Sequence, residues 1–165
     1  MAAIKNKNTE KSTFKARKGQ IDYTHARWAP VINCVLKYNN KILVVQRSKN
    51  LNFYPNYWNG VSGFLDDQRS LNKKISDELK EELGIEAKEW LYLGFTKRIP
   101  NILDCDAHLF LAKKIKIGEP KLDKTEDIKT KKMKFEEAYK MVLESKIVED
   151  SSCVLILKAK EFLGL

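Results

Sequence analysis

The chain has 165 residues, 43% of them hydrophobic, and a formal net charge of +9 from 31 Lys and Arg against 22 Asp and Glu. That length suits one domain with a real core, and no run approaches the roughly 18 to 20 apolar residues of a membrane-crossing helix. The charge favours acidic ligands such as phosphates, with lysines gathered before Lys18 and again from Lys113 to Lys134. Neither cluster interleaves aromatic residues with its basic ones in the way that stacks bases along single-stranded nucleic acid. A solvated basic surface is therefore the plain reading, with nucleic acid as the alternative partner.

In chain order, residues 1–22 read as a basic N-terminal arm, polar and poor in branched apolar side chains. They hold no apolar block of the secretory kind, so the cytoplasm is the expected location. Residues 23–165 read as the folded domain. It opens with two strand-like runs, "APVINCVLKY" and "KILVVQ", joined at Asn39-Asn40, a pair suited to a tight hairpin. "RSKNLNFYPNYWNG" has no period and reads as a loop leading to a short strand at "GVSGF". From Ser70 the spacing of Leu71, Ile75 and Leu79 predicts an amphipathic helix that Gly84 ends. "KEWLYLGFTKRI" and "AHLFLAKKIKI" alternate as strands, "GEPKLDKTED" is a polar loop, and "IKTKKMKF" is an edge strand guarded by lysines. Two helices close the chain, "EEAYKMVLES" and "SSCVLILKAKEFL", the second with Asp150 or Ser151 as expected cap. Strands and helices mixed in this way predict an α/β domain with helices covering a sheet.

Cys34, Cys105 and Cys153 form no CxxC pair and have no neighbouring histidine, so they read as reduced, mostly buried thiols. His108, in a strand-like run, reads as a sheet residue. The acids are more telling. On a helix Glu78, Glu81 and Glu82 fall within roughly 100° of arc. Like charges so placed repel by a few tenths of a kcal/mol per pair, roughly, unless a cation lies among them. A divalent ion held by oxygen, Mg²⁺ or Mn²⁺, would relieve the repulsion.

The frame around these acids resembles the signature of the Nudix hydrolases. Gly63 and Glu78-Leu79-x-Glu81-Glu82-x-Gly84-Ile85 match seven of its nine defined positions at the family's spacing. Arg47-Ser48 and Tyr57-Trp58-Asn59-Gly60 supply the flanking context, and the likeness spans about Trp28 to Leu163. Two positions depart: Arg69 stands where the family has Glu, and Asp77 where it has Arg. In the family those two side chains pair as a brace, so here the signs are exchanged. A surviving brace would make Arg69→Glu destabilising and Asp77→Arg its rescue.

The resemblance implies an α/β/α sandwich with a mixed central sheet, and a metal-dependent hydrolase that cleaves a diphosphate linkage in a nucleoside diphosphate joined to another moiety. Mg²⁺ or Mn²⁺ is the implied cofactor, with Glu78, Glu81, Glu82 and the Gly63 carbonyl as ligands. It further implies Glu126 as a second catalytic acid, with Glu78 as the alternative base. Arg47, Tyr57, Trp58 and Arg98 are candidate contacts to a phosphorylated small-molecule substrate of the nucleotide type. No membrane partner is expected, and dimeric relatives make a homodimer the expected assembly. Two other readings stay open: a non-catalytic nucleotide-sensing module, and isopentenyl diphosphate isomerase, whose cysteine motif is not visible around Cys34.

Overall fold

Val31–Tyr38 (β1) and Lys41–Gln46 (β2) pair antiparallel with Tyr38 opposite Lys41, and Asn39 takes φ 53° in the turn between them. A short polar side chain tolerates that left-handed backbone, which fixes the hairpin register. The computed structural model describes residues 29–39, 41–50, 55–97, 105–119 and 129–165. The N-terminal arm at 1–22 and the polar loop after Gly118 lie wholly or mostly outside these.

The strands continue with Trp58–Asn59 (β3), Val61–Phe64 (β4), Ile85–Lys97 (β5), Asp106–Ile117 (β6) and Lys129–Lys134 (β7). They form one mixed sheet in the order β3-β2-β1-β6-β5, with β4 on β1 and β7 on β2. β1 and β6 run parallel; the other pairs are antiparallel. Two features depart from the expectation. The two-residue strand β3 lies inside the segment read as a loop, because its aperiodic sequence pairs through Val45 and Gln46 rather than through a pattern of its own. β5 begins at Ile85, directly after the helix, earlier than the run at Lys88 predicts.

Leu71–Leu83 (α1) lies on one face of the sheet, where Ile75, Leu79 and Leu83 meet Ile32, Cys34, Leu36, Val61 and Phe110. Phe135–Leu143 (α2) and Asp150–Leu163 (α3) cover the other, where Leu155, Ile156 and Ala159 meet Val35, Val44, Leu109 and Leu111. Alternate residues of β1 and β6 thus feed two cores, and the expected α/β/α layering is the observed one. The cap of α3 is Glu149, whose side chain accepts from the backbone N–H groups of Ser151 and Ser152, in place of the Asp150 or Ser151 expected. A carboxylate at that position gains from the helix dipole. Asn33 ties the same end to the sheet, donating to the Ser151 and Ser152 hydroxyls at 2.9 and 3.1 Å.

Candidate active site

The rotation of α1 is set by its apolar stripe and its two ends. Ser70 caps the first turn through its hydroxyl, and Gly84 closes the last with φ 63°. With Ile75 and Leu79 fully buried, Glu78 and Glu82 come to rest half-buried and Glu81 exposed. Glu78 lies directly on β4. A Cβ added at Gly63 would stand 2.5 Å from Glu78 Cδ and 2.6 Å from its Oε1, so only glycine leaves room for the carboxylate. Burial pushes the Glu78 carboxyl above its usual range; a hydrogen bond and charge from Lys74 act against this, and Glu81 and Asp66 add to the rise.

Sequence reasoning missed Lys74. Its side chain is 5% exposed, and its Nζ lies 2.8 Å from Asp66 Oδ1 and 2.9 Å from Glu78 Oε1. Burial disfavours the ammonium, but hydrogen bonds to Asp66 and Glu78 outweigh it and hold the group above its ordinary range. An internal lysine thus relieves part of the repulsion that a divalent ion alone was expected to relieve. The signal for it is in the spacing: Lys74 stands four residues before Glu78 and one before Ile75, which turns it toward the sheet.

The exchanged brace is present. Arg69 Nη1 lies 2.5 Å from Asp77 Oδ2, and the guanidinium also grips Asp67 through its Nε at 2.8 Å. Lys73 Nζ meets the other Asp77 oxygen at 2.7 Å. Hydrogen bonding from Arg69 lowers the Asp67 carboxyl to about 2, from an ordinary 3.8. A depressed carboxyl contributes stability that is full above the unfolded value and is lost as pH falls through the folded one. The denaturant midpoint of wild type should therefore drop between about pH 4 and pH 2. Arg69→Gln should flatten that drop; an unchanged acid limb in the variant would exclude this source.

Asp67 also revises the expected rescue. Arg69→Glu sets a new acid beside both Asp67 and Asp77, and Asp77→Arg removes only one of those repulsions. With the guanidinium 39% exposed, each contact is worth about 0.5 kcal/mol or less after screening. The double variant should recover part of the lost stability, read as a midpoint between those of wild type and Arg69→Glu.

The donor set at α1 suits a hard divalent cation, since Glu78, Glu81, Glu82 and the Gly63 carbonyl offer only oxygen. Gly63 lacks the Cβ that would hold its main chain away from the Glu78 carboxylate. Among the described residues no three acidic, histidine or cysteine side chains stand as a ready-made metal cluster. Glu78 is engaged with Lys74, and exchanging that ammonium for an ion would bring it into the set.

A strand-loop-helix box seated on a mixed sheet is the arrangement the sequence signature implied, and residues 27–152 match the NUDIX domain. The chain belongs to the NUDIX domain family. Of solved structures, an ADP compounds hydrolase superposes with a TM-score of 0.72 at 16% identity, over 82% of this chain and 73% of that one. At that identity the likeness is one of fold. No curated protein matches the sequence.

Around the Nudix box the other candidates separate. Arg47 follows β2 and is tied to Tyr57, its backbone N–H donating to the Tyr57 carbonyl at 2.9 Å. Tyr57 is 41% exposed, whereas Trp58 packs into the core beneath α2 and α3, across the sheet from Glu78. Arg98 and Glu126 lie outside the described residues. The three cysteines are free; Cys34 and Cys105 are buried and Cys153 half-buried. Burial pushes the Cys34 thiol far above its usual range, as suits a packed side chain. No helix among the described residues is long and apolar enough to cross a membrane.

Proposed function

We propose that the protein is a metal-dependent Nudix hydrolase that cleaves the diphosphate linkage of a nucleoside diphosphate joined to another moiety. The observation that carries this reading is the Glu78 carboxylate resting on the bare Cα of Gly63 inside a family box, with Glu81 and Glu82 on the following turn. Glu78, Glu82, Glu81 and the Gly63 carbonyl would hold Mg²⁺ or Mn²⁺. Such an ion, when bound, orients a diphosphate and neutralises the charge that grows on its oxygens.

The chain's own residues supply the rest. Where Glu81 and Glu82 hold the ion without it, Glu78 is instead the base that takes a proton from the attacking water, a role that suits a carboxyl kept by half-burial more basic than a surface glutamate. Glu126 is the alternative base. The Arg69 brace holds the loop that carries Asp66 and Asp67 against α1, so the box keeps its shape when charge moves within it. The leaving group and the base recognised follow from residues outside the box. The ADP compounds hydrolase of similar fold makes adenosine diphosphate derivatives the first class to try.

One observation favours a second reading. Lys74 bridges Glu78 and Asp66 and offsets part of their charge without a metal, an arrangement that a nucleotide-sensing domain without catalysis can use. A single assay separates the two. The protein is incubated with Mg²⁺ or Mn²⁺ and a panel of nucleoside triphosphates, dinucleoside polyphosphates, ADP-ribose and sugar nucleotides, with Glu82→Gln as control. Hydrolysis that is lost in Glu82→Gln supports the enzyme. Equal turnover by both proteins removes it, and tight binding without turnover selects the sensor.

A further inference from the structure

Three strands carry one line of residues away from the Glu78 seat. Gly63 of β4 stands opposite Ile32 of β1, Ile32 is in register with His108 of β6, and His108 with Phe95 of β5. Two strand spacings, about 10 Å, separate Gly63 from His108, and three, about 14 Å, separate it from Phe95. At that end of the sheet, on the α1 face, Tyr92 and Phe95 are each 50% exposed. The Tyr92 and His108 ring centroids are 6.0 Å apart, those of Phe95 and His108 6.1 Å, and the Tyr92 hydroxyl lies 2.9 Å from His108 Nδ1.

Tyr92 and Phe95 are three apart, a spacing that in a regular strand sends two side chains to opposite faces. Here a bulge intervenes. Tyr92 faces Phe110 and Phe95 faces His108, so three steps on β5 match two on β6. Leu91 and Leu93 keep the opposite face and pack beneath α3. Gly94 takes φ 91°, which side-chain-bearing residues rarely adopt, and Lys158 of α3 donates to the Leu93 carbonyl at 2.8 Å. The bulge is thus held from behind, and its consequence is to turn Phe95 onto the face that carries Glu78. Bulges that re-aim a side chain are common beside active sites.

We propose that Tyr92, Phe95 and His108 form the platform on which the substrate's nucleobase stacks while its diphosphate lies at Glu78. The proposal rests on the hydrolase reading for the position of the diphosphate. A ribose together with its 5′-diphosphate spans a gap of this order between the Glu78 seat and a base, and aromatic faces stack on any base through dispersion and ring electrostatics. Burial lowers the affinity of His108 for a proton, with Asp106 opposing, so a neutral ring is the form offered to the base at neutral pH.

The test is binding, which needs no turnover. AMP and ribose 5-phosphate are titrated separately into the Mg²⁺-loaded protein by calorimetry. Wild type should bind AMP more tightly than ribose 5-phosphate. Phe95→Ala should weaken AMP roughly tenfold and leave ribose 5-phosphate unchanged, with Phe95→Trp retaining the wild-type value. In turnover, Phe95→Ala should raise KM and hold kcat. Two results would overturn the platform: equal affinity of wild type for the two ligands, or a folded Phe95→Ala that binds AMP as wild type does. Loss of dimers in Phe95→Ala with AMP binding intact would overturn it as well, by showing the patch to be a subunit contact. Failure of the hydrolase reading shows separately, as turnover that survives Glu82→Gln.

Discussion

Gly63→Ala is expected to lower kcat by about a hundredfold while leaving the protein folded. A methyl group at this position would stand 2.5 Å from Glu78 Cδ and 2.8 Å from Cγ, well inside van der Waals contact. The main chain of β4 is fixed by its ladder with β1, so the side chain of Glu78 must yield. Its end is flexible enough to swing away, and Lys74 would still hold Asp66 at 2.8 Å. Stability should therefore fall by about 1 kcal/mol, the ordinary cost of a substitution, whereas a displacement of about 1 Å in a catalytic group costs about two orders of magnitude in rate. Steady-state kinetics with the best substrate of the panel, beside thermal melts, would check both halves. A variant with full activity would show that the carboxylate's seat on Gly63 is irrelevant to the reaction.

Elements whose own sequences carry a period are legible in the sequence alone. The hairpin of β1 and β2, the stripe of α1 and the alternation of β6 each bury the residues their spacing selects. β3 is not, because two residues carry no period and the pairing that creates the strand lies in β2. Within the candidate site, the motif singles out Glu78, Glu81, Glu82 and Gly63, and the sign exchange at Arg69 and Asp77 is legible because the two departures compensate each other. Asp67 as third member of the brace and Asp66 as partner of Lys74 are not legible. Both depend on how the loop after β4 folds back on α1. Phe95 shows the same limit more sharply. Alternation along β5 assigns it to the α3 face, and only the bulge at Gly94, which spacing does not reveal, moves it to the other.

Lys74→Met should destabilise the metal-free protein by about 3 to 5 kcal/mol, the usual cost of removing one partner from a buried ion pair. Methionine fills similar volume, so the loss measures the two carboxylates left behind more than a cavity. The side chains concerned are 12% exposed at Asp66 and 18% at Glu78, so water recovers little of the lost solvation. Mg²⁺ should reverse part of the effect. In wild type an incoming ion must displace an ammonium from Glu78, and in the variant that competitor is gone. Apparent Mg²⁺ affinity should therefore rise, by about tenfold if the ammonium contact is worth about 1.4 kcal/mol. Melting temperature against Mg²⁺ concentration reads both quantities at once, because an ion that binds only the folded state stabilises it by mass action. Parallel titration curves for wild type and variant would mean that lysine and ion never contend for Glu78. In that case Glu78 would not be a ligand, and the metal would have to be held by Glu81 and Glu82 without it.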